Sequence, residues 1–109
     1  MNNEFNIGTD ILDLNDFPDF HTSNEISFFN DNYTLKEIVR SQRGNATIEL
    51  ARLFSIKESL VKADKTLINL NFNKIEIELD GSNYFYKDFL ITSSIESNLC
   101  ISFVIKINY

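Results

Sequence analysis

The stretch from Lys74 to Asp88, KIEIELDGSNYFYKD, constrains the fold most, because its pattern is that of a complete β-hairpin. Apolar and acidic side chains alternate in its first half, which is typical of a strand with one buried face. The run from Asp80 to Asn83 predicts a turn, since Gly accepts positive φ angles and Asp and Asn bond their own backbone. A four-residue loop then places Leu79 opposite Tyr84. This hairpin predicts an antiparallel sheet.

Two helices are predicted in the middle of the chain. Thr34 and Glu37 have the spacing of a capping box, and Gly44 ends the helix that follows. A second helical pattern covers residues 47–64, with apolar side chains at three- and four-residue steps. Ile56 falls outside that apolar stripe, so the pattern allows either one helix or two helices broken near Ser55.

Further strands are predicted on both sides of the helices. Extended segments are expected at residues 4–14, 25–29, 67–72 and 89–91, with a polar loop over residues 92–98. The last strand carries apolar residues on both faces and should therefore be central in the sheet. One face holds Leu99, Ile101, Phe103, Ile105 and Ile107, and the other holds Cys100 and Val104.

The whole pattern predicts an α+β fold, in which an antiparallel sheet of four to five mostly C-terminal strands packs on two helices. A chain of 109 residues is expected to form a single domain. It divides into an acidic N-terminal segment with short strands (1–33), helices (34–65) and antiparallel strands (66–109). The single cysteine, Cys100, excludes an intrachain disulfide and favours a cytoplasmic protein. Neither a secretory signal nor a membrane span is predicted.

The charge of the chain is unevenly distributed. Residues 1–33 contain seven acidic residues and no Lys or Arg, whereas residues 34–66 have a net charge of +3 and residues 67–109 a net charge of −2. An overall charge of −6 makes nucleic-acid binding unlikely, because phosphates attract clustered cations. The one-signed N-terminal third indicates a basic protein partner instead.

Few residues suggest chemistry. His21 is the only histidine and has no carboxylate beside it in the sequence, while Cys100 occupies an apolar strand position where a thiol behaves as a small hydrophobe. Asp13, Asp16 and Asp19 recur at every third residue, which is not the spacing of a calcium loop. No catalytic, cofactor-binding or metal-binding residue is therefore assigned, and the chain is not expected to be an enzyme.

Residues 49–62, ELARLFSIKESLVK, resemble the helix-turn-helix pattern of bacterial DNA-binding domains. Ala51 stands at the small position of the first helix, Ile56 at the hydrophobic position of the turn, and Val61 at the anchor of the second helix. The resemblance implies a winged helix-turn-helix regulator that uses residues 47–66, with the hairpin at residues 75–86 as its wing. It is kept as the alternative hypothesis.

The leading hypothesis is a small acidic binding protein, an immunity protein that inhibits a basic, nuclease-like bacterial toxin by occupying its cleft. A secretion chaperone, a phage accessory protein and a structural subunit are further alternatives. The chain is expected to be a monomer or weak dimer without cofactor. The predicted partner-binding residues are Asp10, Asp13, Asp16, Phe17, Asp19, Phe20, Glu76 and Glu78.

Overall fold

A computed structural model describes residues 4–108 of the chain, and the side chains of residues 6–107. Within that range the α+β prediction is confirmed: three helices accompany two antiparallel sheets, and most strands are C-terminal. The strands are β1 (Glu4–Asp13), β2 (Glu78–Asp80), β3 (Asn83–Phe85), β4 (Phe89–Glu96) and β5 (Leu99–Asn108). The helices are α1 (Ile26–Asn32), α2 (Leu35–Ser41) and α3 (Ala46–Ala63).

The larger sheet has the strand order β1-β5-β4, and both pairings are antiparallel. The prediction that the last strand is central is therefore confirmed. Its inward face carries Cys100, Ser102 and Val104, which have no solvent exposure because α3 covers them. Leu99 and Phe103 lie on the opposite face, where both remain more than one third exposed.

The smaller sheet is the hairpin of β2 and β3. Leu79 pairs with Tyr84 as predicted, but Asp80 also pairs with Asn83, so the loop contains two residues rather than four. Gly81 has a φ of +61°, a conformation that costs glycine nothing because it lacks a Cβ atom.

The predicted capping box is present at α2. Thr34 accepts a hydrogen bond from the Glu37 backbone, and the Glu37 carboxylate accepts one from the Thr34 backbone. The following helix, α3, is continuous, which decides between the one-helix and two-helix interpretations. Ile56 is fully buried, so it is a core residue on a broad apolar face and does not mark a turn.

Three segments differ from their predictions. Residues 25–29 form the N-cap and first turn of α1 instead of a strand, and Phe29 and Tyr33 stack at helical spacing with ring centroids 6.1 Å apart. The range 67–72 is not a strand but runs through 3₁₀ turns, and of its apolar residues only Leu67 is buried. Residues 92–96 belong to β4 instead of a loop; their polarity reflects a strand at the edge of the sheet.

The acidic N-terminal segment is attached to the rest of the fold by aromatic residues. Phe17 lies against Phe28, Phe29 and Phe54, with ring centroids 5.7–6.4 Å apart. The contacts with Phe28 and Phe29 are edge to face, an arrangement that stabilises a cluster beyond simple burial of area.

None of the helices in the described part of the chain is long and apolar enough to cross a bilayer.

Candidate active site

Two carboxylates and an ammonium group meet where β1 crosses α3. The Lys62 Nζ atom donates to the Asp10 Oδ1 atom at 3.1 Å and to the Thr9 carbonyl oxygen at 3.0 Å. Glu58 lies four residues before Lys62 and therefore on the same side of α3. The Lys62 side chain is 49% exposed and that of Asp10 15% exposed, so the group is open to solvent on one side.

The two carboxylates repel each other. Partial burial and the negative charge of Asp10 raise the pKa of the Glu58 carboxyl, while the Lys62 ammonium opposes that rise. A like charge close by disfavours the ionised form of a carboxyl, and a cation between the two groups would relieve the repulsion. The pair is thus suited to a positively charged ligand.

Gly8 brings the two elements close enough for this contact. It lies on the inward face of β1, in phase with Asp10, and a Cβ atom built on it would stand 1.9 Å from the Ser59 carbonyl oxygen. No residue other than glycine fits that space without moving backbone. Gly8, which allows the close approach, therefore lies only two positions before Asp10, whose carboxylate it helps to place.

The donor set fits a magnesium ion better than a fully protein-bound metal. Within the described residues, no group of three or more His, Cys, Asp or Glu side chains could hold a metal. Mg²⁺ commonly takes only one or two carboxylates and completes its octahedron with water and substrate phosphates. Asp10 and Glu58 would be those carboxylates.

A cleft of about 470 Å³ opens beside Glu58. Its wall and floor residues are Asp31, Asn32, Phe54, Glu58, Leu70, Asn71 and Phe72. Phe54 and Phe72 meet edge to face, with ring centroids 5.5 Å apart. The cleft thus combines an aromatic surface with amide and carboxylate groups and lies next to the paired carboxylates.

The predicted partner-binding aspartates have different surroundings. Asp10 belongs to the site just described, whereas Asp13 caps the 3₁₀ turn that follows β1 and binds the Asn98 amide at 2.9 Å. Asp16 and Asp19 are exposed. Hydrogen bonds from the backbone of His21 and Thr22 lower the pKa of the Asp19 carboxyl, so this group helps to form its own loop.

The other predicted partner-binding residues have structural surroundings of their own. Phe17 is only 8% exposed, and Phe20 packs against the same aromatic cluster. Glu78 pairs with Lys36 at 3.4 Å on the surface, and Glu76 is partly buried.

Sequence reasoning did not find Glu58 or Lys62, although two signals were available. Asp10 stands between Gly8 and Leu12 on the inward side of a strand, where a charged residue needs a partner. Glu58 and Lys62 share one side of a helix on which most of the other residues are buried. Neither signal identifies the other, because 48 residues separate the strand from the helix positions.

The comparison with protein families decides the assignment. The profile of the 4'-phosphopantetheinyl transferase superfamily (ACPS) matches residues 6–104, nearly the whole chain. The chain belongs to the 4'-phosphopantetheinyl transferase superfamily. Asp10, Glu58 and Lys62 all lie within the matched range. No curated protein matches the chain significantly.

Solved structures of this superfamily share the fold. An ACPS–CoA complex from Chronobacterium ammoniagenes superposes with a TM-score of 0.81 at 17% identity, covering 97% of this chain and 98% of that one. The holo-ACP-synthase from Plasmodium yoelii gives 0.76 at 18% identity, covering 100% and 99%. The holo-[acyl-carrier-protein] synthase from Neisseria meningitidis gives 0.73 at 21% identity, covering 95% and 98%.

Membership in a superfamily of transferases corrects the functional hypotheses. The predictions of an immunity protein, of a basic toxin as partner and of a chain without enzymatic activity are wrong. The winged helix-turn-helix regulator is also wrong. Its supposed recognition helix is the C-terminal half of α3, where Lys57 is buried against Glu37 and Lys62 binds Asp10.

Proposed function

We propose that this protein transfers the 4'-phosphopantetheinyl group of CoA to a hydroxyl group of an acyl carrier protein. The observation that carries the proposal is the Asp10–Glu58–Lys62 group, which lies within a chain matched along most of its length by the superfamily profile. The relatives described as an ACPS–CoA complex and as holo-[acyl-carrier-protein] synthase support the choice of donor and acceptor.

The chemistry is a phosphoryl transfer. The carrier-protein hydroxyl oxygen forms a bond to the phosphorus atom next to the pantetheine, and that atom's bond to the second phosphate of CoA breaks. Adenosine 3',5'-bisphosphate leaves, and the hydroxyl proton passes to solvent. Catalysis of such a transfer consists mainly of positioning and charge stabilisation. Asp10 and Glu58 would hold Mg²⁺ against the phosphates, and the exposed Lys62 ammonium would bind a phosphate oxygen.

The test is an assay of purified protein with CoA, Mg²⁺ and apo acyl carrier protein, followed by mass spectrometry of the carrier protein. We expect modification by the wild-type chain. Each of Asp10→Asn, Glu58→Gln and Lys62→Met should lower kcat/KM by about 100-fold or more, because each removes a charge that faces the transferred group.

A matched control is Glu49→Gln, which changes another carboxylate of α3 without touching the site. Glu49 binds the Tyr84 hydroxyl at 2.8 Å, away from Asp10 and Lys62. That variant should keep activity within a few-fold of wild type. Full activity of Asp10→Asn and Glu58→Gln, or a wild-type chain that leaves the carrier protein unmodified, would contradict the proposal.

We further propose that the chain acts in the cytoplasm as one domain. The buried, unpaired Cys100 supports a reducing compartment. The near-complete coverage of the relatives supports a single unit.

A further inference from the structure

Lys57 is a buried cation that the proposed chemistry does not use. It precedes Glu58 on α3, and neither its side chain nor that of Glu37 has any solvent exposure. Its Nζ atom donates to the Glu37 Oε1 atom at 2.7 Å, to the Asn32 carbonyl oxygen at 2.8 Å and to the Phe72 carbonyl oxygen at 2.9 Å. All three donors of the ammonium group are therefore satisfied.

The two carbonyl groups belong to two separate segments that both line the Glu58 cleft, here called its two walls. Asn32 ends α1, Phe72 begins a 3₁₀ turn, and both line the cleft. Thirty-nine residues of chain separate them, and an exposed hydrogen bond from the Asn73 amide to the Asn30 carbonyl oxygen, at 3.2 Å, also links the two segments. Lys57 thus joins both walls of the cleft through its buried ammonium group.

Glu37 fixes the ammonium group in turn. Its Oε1 atom also accepts from the Thr34 backbone, and its Oε2 atom accepts from the Ile77 backbone at 2.7 Å. The Glu37 carboxylate, 2.7 Å from the Lys57 Nζ atom, favours the charged form of the lysine because an opposite charge lies in direct contact with it. A buried pair with these additional partners holds one geometry, because breaking any contact leaves an unsatisfied charge.

The composition of the cleft indicates its ligand. The lining residues include the carboxyl groups of Asp31 and Glu58 but no Lys or Arg, so the cleft disfavours phosphates and acidic protein surfaces. Phe54 and Phe72 offer apolar area, and the amides of Asn32 and Asn71 offer both donors and acceptors. A neutral chain containing amide groups matches these features, and the pantetheine arm of CoA is such a chain.

We propose that Lys57 is a positioning residue, whose ammonium group holds the two walls of the Glu58 cleft at the spacing that receives the pantetheine arm. The inference rests on the proposed transferase function. In this arrangement Lys62 and the two metal-binding carboxylates bind the phosphates of CoA, and the cleft binds its neutral pantetheine arm. Lys57 acts through the walls and does not touch the substrate.

The test uses the double variant Lys57→Met/Glu37→Gln. It removes both buried charges together, since removing Lys57 alone would leave an unpaired carboxylate and endanger folding. We expect a folded protein with unchanged Mn²⁺ affinity, a KM for CoA raised about tenfold and a kcat changed less than threefold. Amide hydrogen exchange should accelerate in residues 30–33 and 70–73, independently of any activity.

Val104→Ala is the control for general loss of stability, because Val104 is fully buried beneath α3 and does not line the cleft. It should lower Tm without changing the KM for CoA or the exchange of the two walls. An equal rise in KM in Val104→Ala, unchanged exchange in the double variant, or a fall in kcat at constant KM would overturn the role of Lys57. An inactive wild-type chain would instead overturn the transferase function.

Discussion

At the scale of single residues, Asp64 shows how a local ion pair ties the end of α3 to the sheet. Its carboxylate accepts from the Thr66 backbone and hydroxyl, and from the Lys106 Nζ atom at 2.7 Å. These bonds, led by the one from Lys106, lower the pKa of Asp64 to about 2. Lys106 also lies over the Phe89 ring, 5.7 Å from its centroid, so the pair connects α3, β4 and β5.

The lowered pKa predicts how this contact depends on pH. A carboxyl whose pKa is lower in the folded state stabilises the protein above its ordinary value of 3.8, and that contribution disappears as pH falls towards 2. Asp64→Asn should therefore lower Tm at pH 7, and the difference from wild type should shrink between pH 4 and pH 2. Thermal melts over that range measure it. Asp16→Asn, at an exposed position, should have the Tm of wild type over the whole pH range. A Tm difference between Asp64→Asn and wild type that stays constant from pH 4 to pH 2 would refute this pH dependence.

At the scale of elements, the packing of β1 on α3 creates the proposed active site. The contact depends on small residues, since Gly8 faces the backbone at Ser59 and Ala63. β1 is also the outer neighbour of the central strand, pairing with it over its whole length. Any increase in the separation between β1 and α3 moves Asp10 away from Glu58 and Lys62 together.

Gly8→Ala tests this dependence. The added methyl group would overlap the Ser59 carbonyl oxygen, and forced overpacking of this kind costs about 1–3 kcal/mol. We expect a lower Tm than that of wild type. We also expect a lower transferase activity in the protein that remains folded.

The matched control is Gly44→Ala, because no atom lies within 4 Å of a Cβ atom at Gly44 and its φ is not positive. Its stability should equal or slightly exceed that of wild type, as the unfolded chain loses freedom. Equal melting temperatures for Gly8→Ala and Gly44→Ala would show that the fold tolerates a larger separation between β1 and α3.

At the scale of the whole molecule, the outer face of the larger sheet remains uncovered. Ile7, Ile11, Leu90 and Phe103 lie on it with 37–66% of their surface exposed. The neighbouring side chains in the middle of this face are Thr9, Thr92, Ser94, Ile101 and Ile105, none of them charged. An apolar area of this kind is rare on a lone monomer, which argues against the expectation of a monomer or weak dimer.

We expect further copies of the chain to cover this face, because its uncharged surface suits neither an acidic nor a basic partner and most soluble oligomers are homo-oligomers. Sedimentation velocity should give a stable oligomer for wild type and a smaller species for Ile11→Lys/Phe103→Lys. Lys36→Met, which alters only an exposed ion pair with Glu78, should sediment like wild type. A monomeric wild-type chain would refute self-association.

The sequence alone determined the features that short-range physics controls. The capping box at Thr34, the register of Leu79 with Tyr84 and the central position of β5 all follow from patterns within about ten residues. Tertiary structure decided the rest. Residues 25–29 are helical because Phe29 joins an aromatic cluster, and residues 67–72 form turns because no strand lies beside them.

The proposed functional site is one of the features that only the tertiary structure decided. Asp10 and Glu58 are 48 residues apart in the chain, and their proximity depends on one glycine that admits a helix backbone. The same holds for Lys57, which the sequence presents as one cation of a basic helix and the fold buries against Glu37. Charge and periodicity are properties of one segment. A catalytic site requires side chains of distant segments to lie close together, and only the packing of the whole chain sets the distance between them.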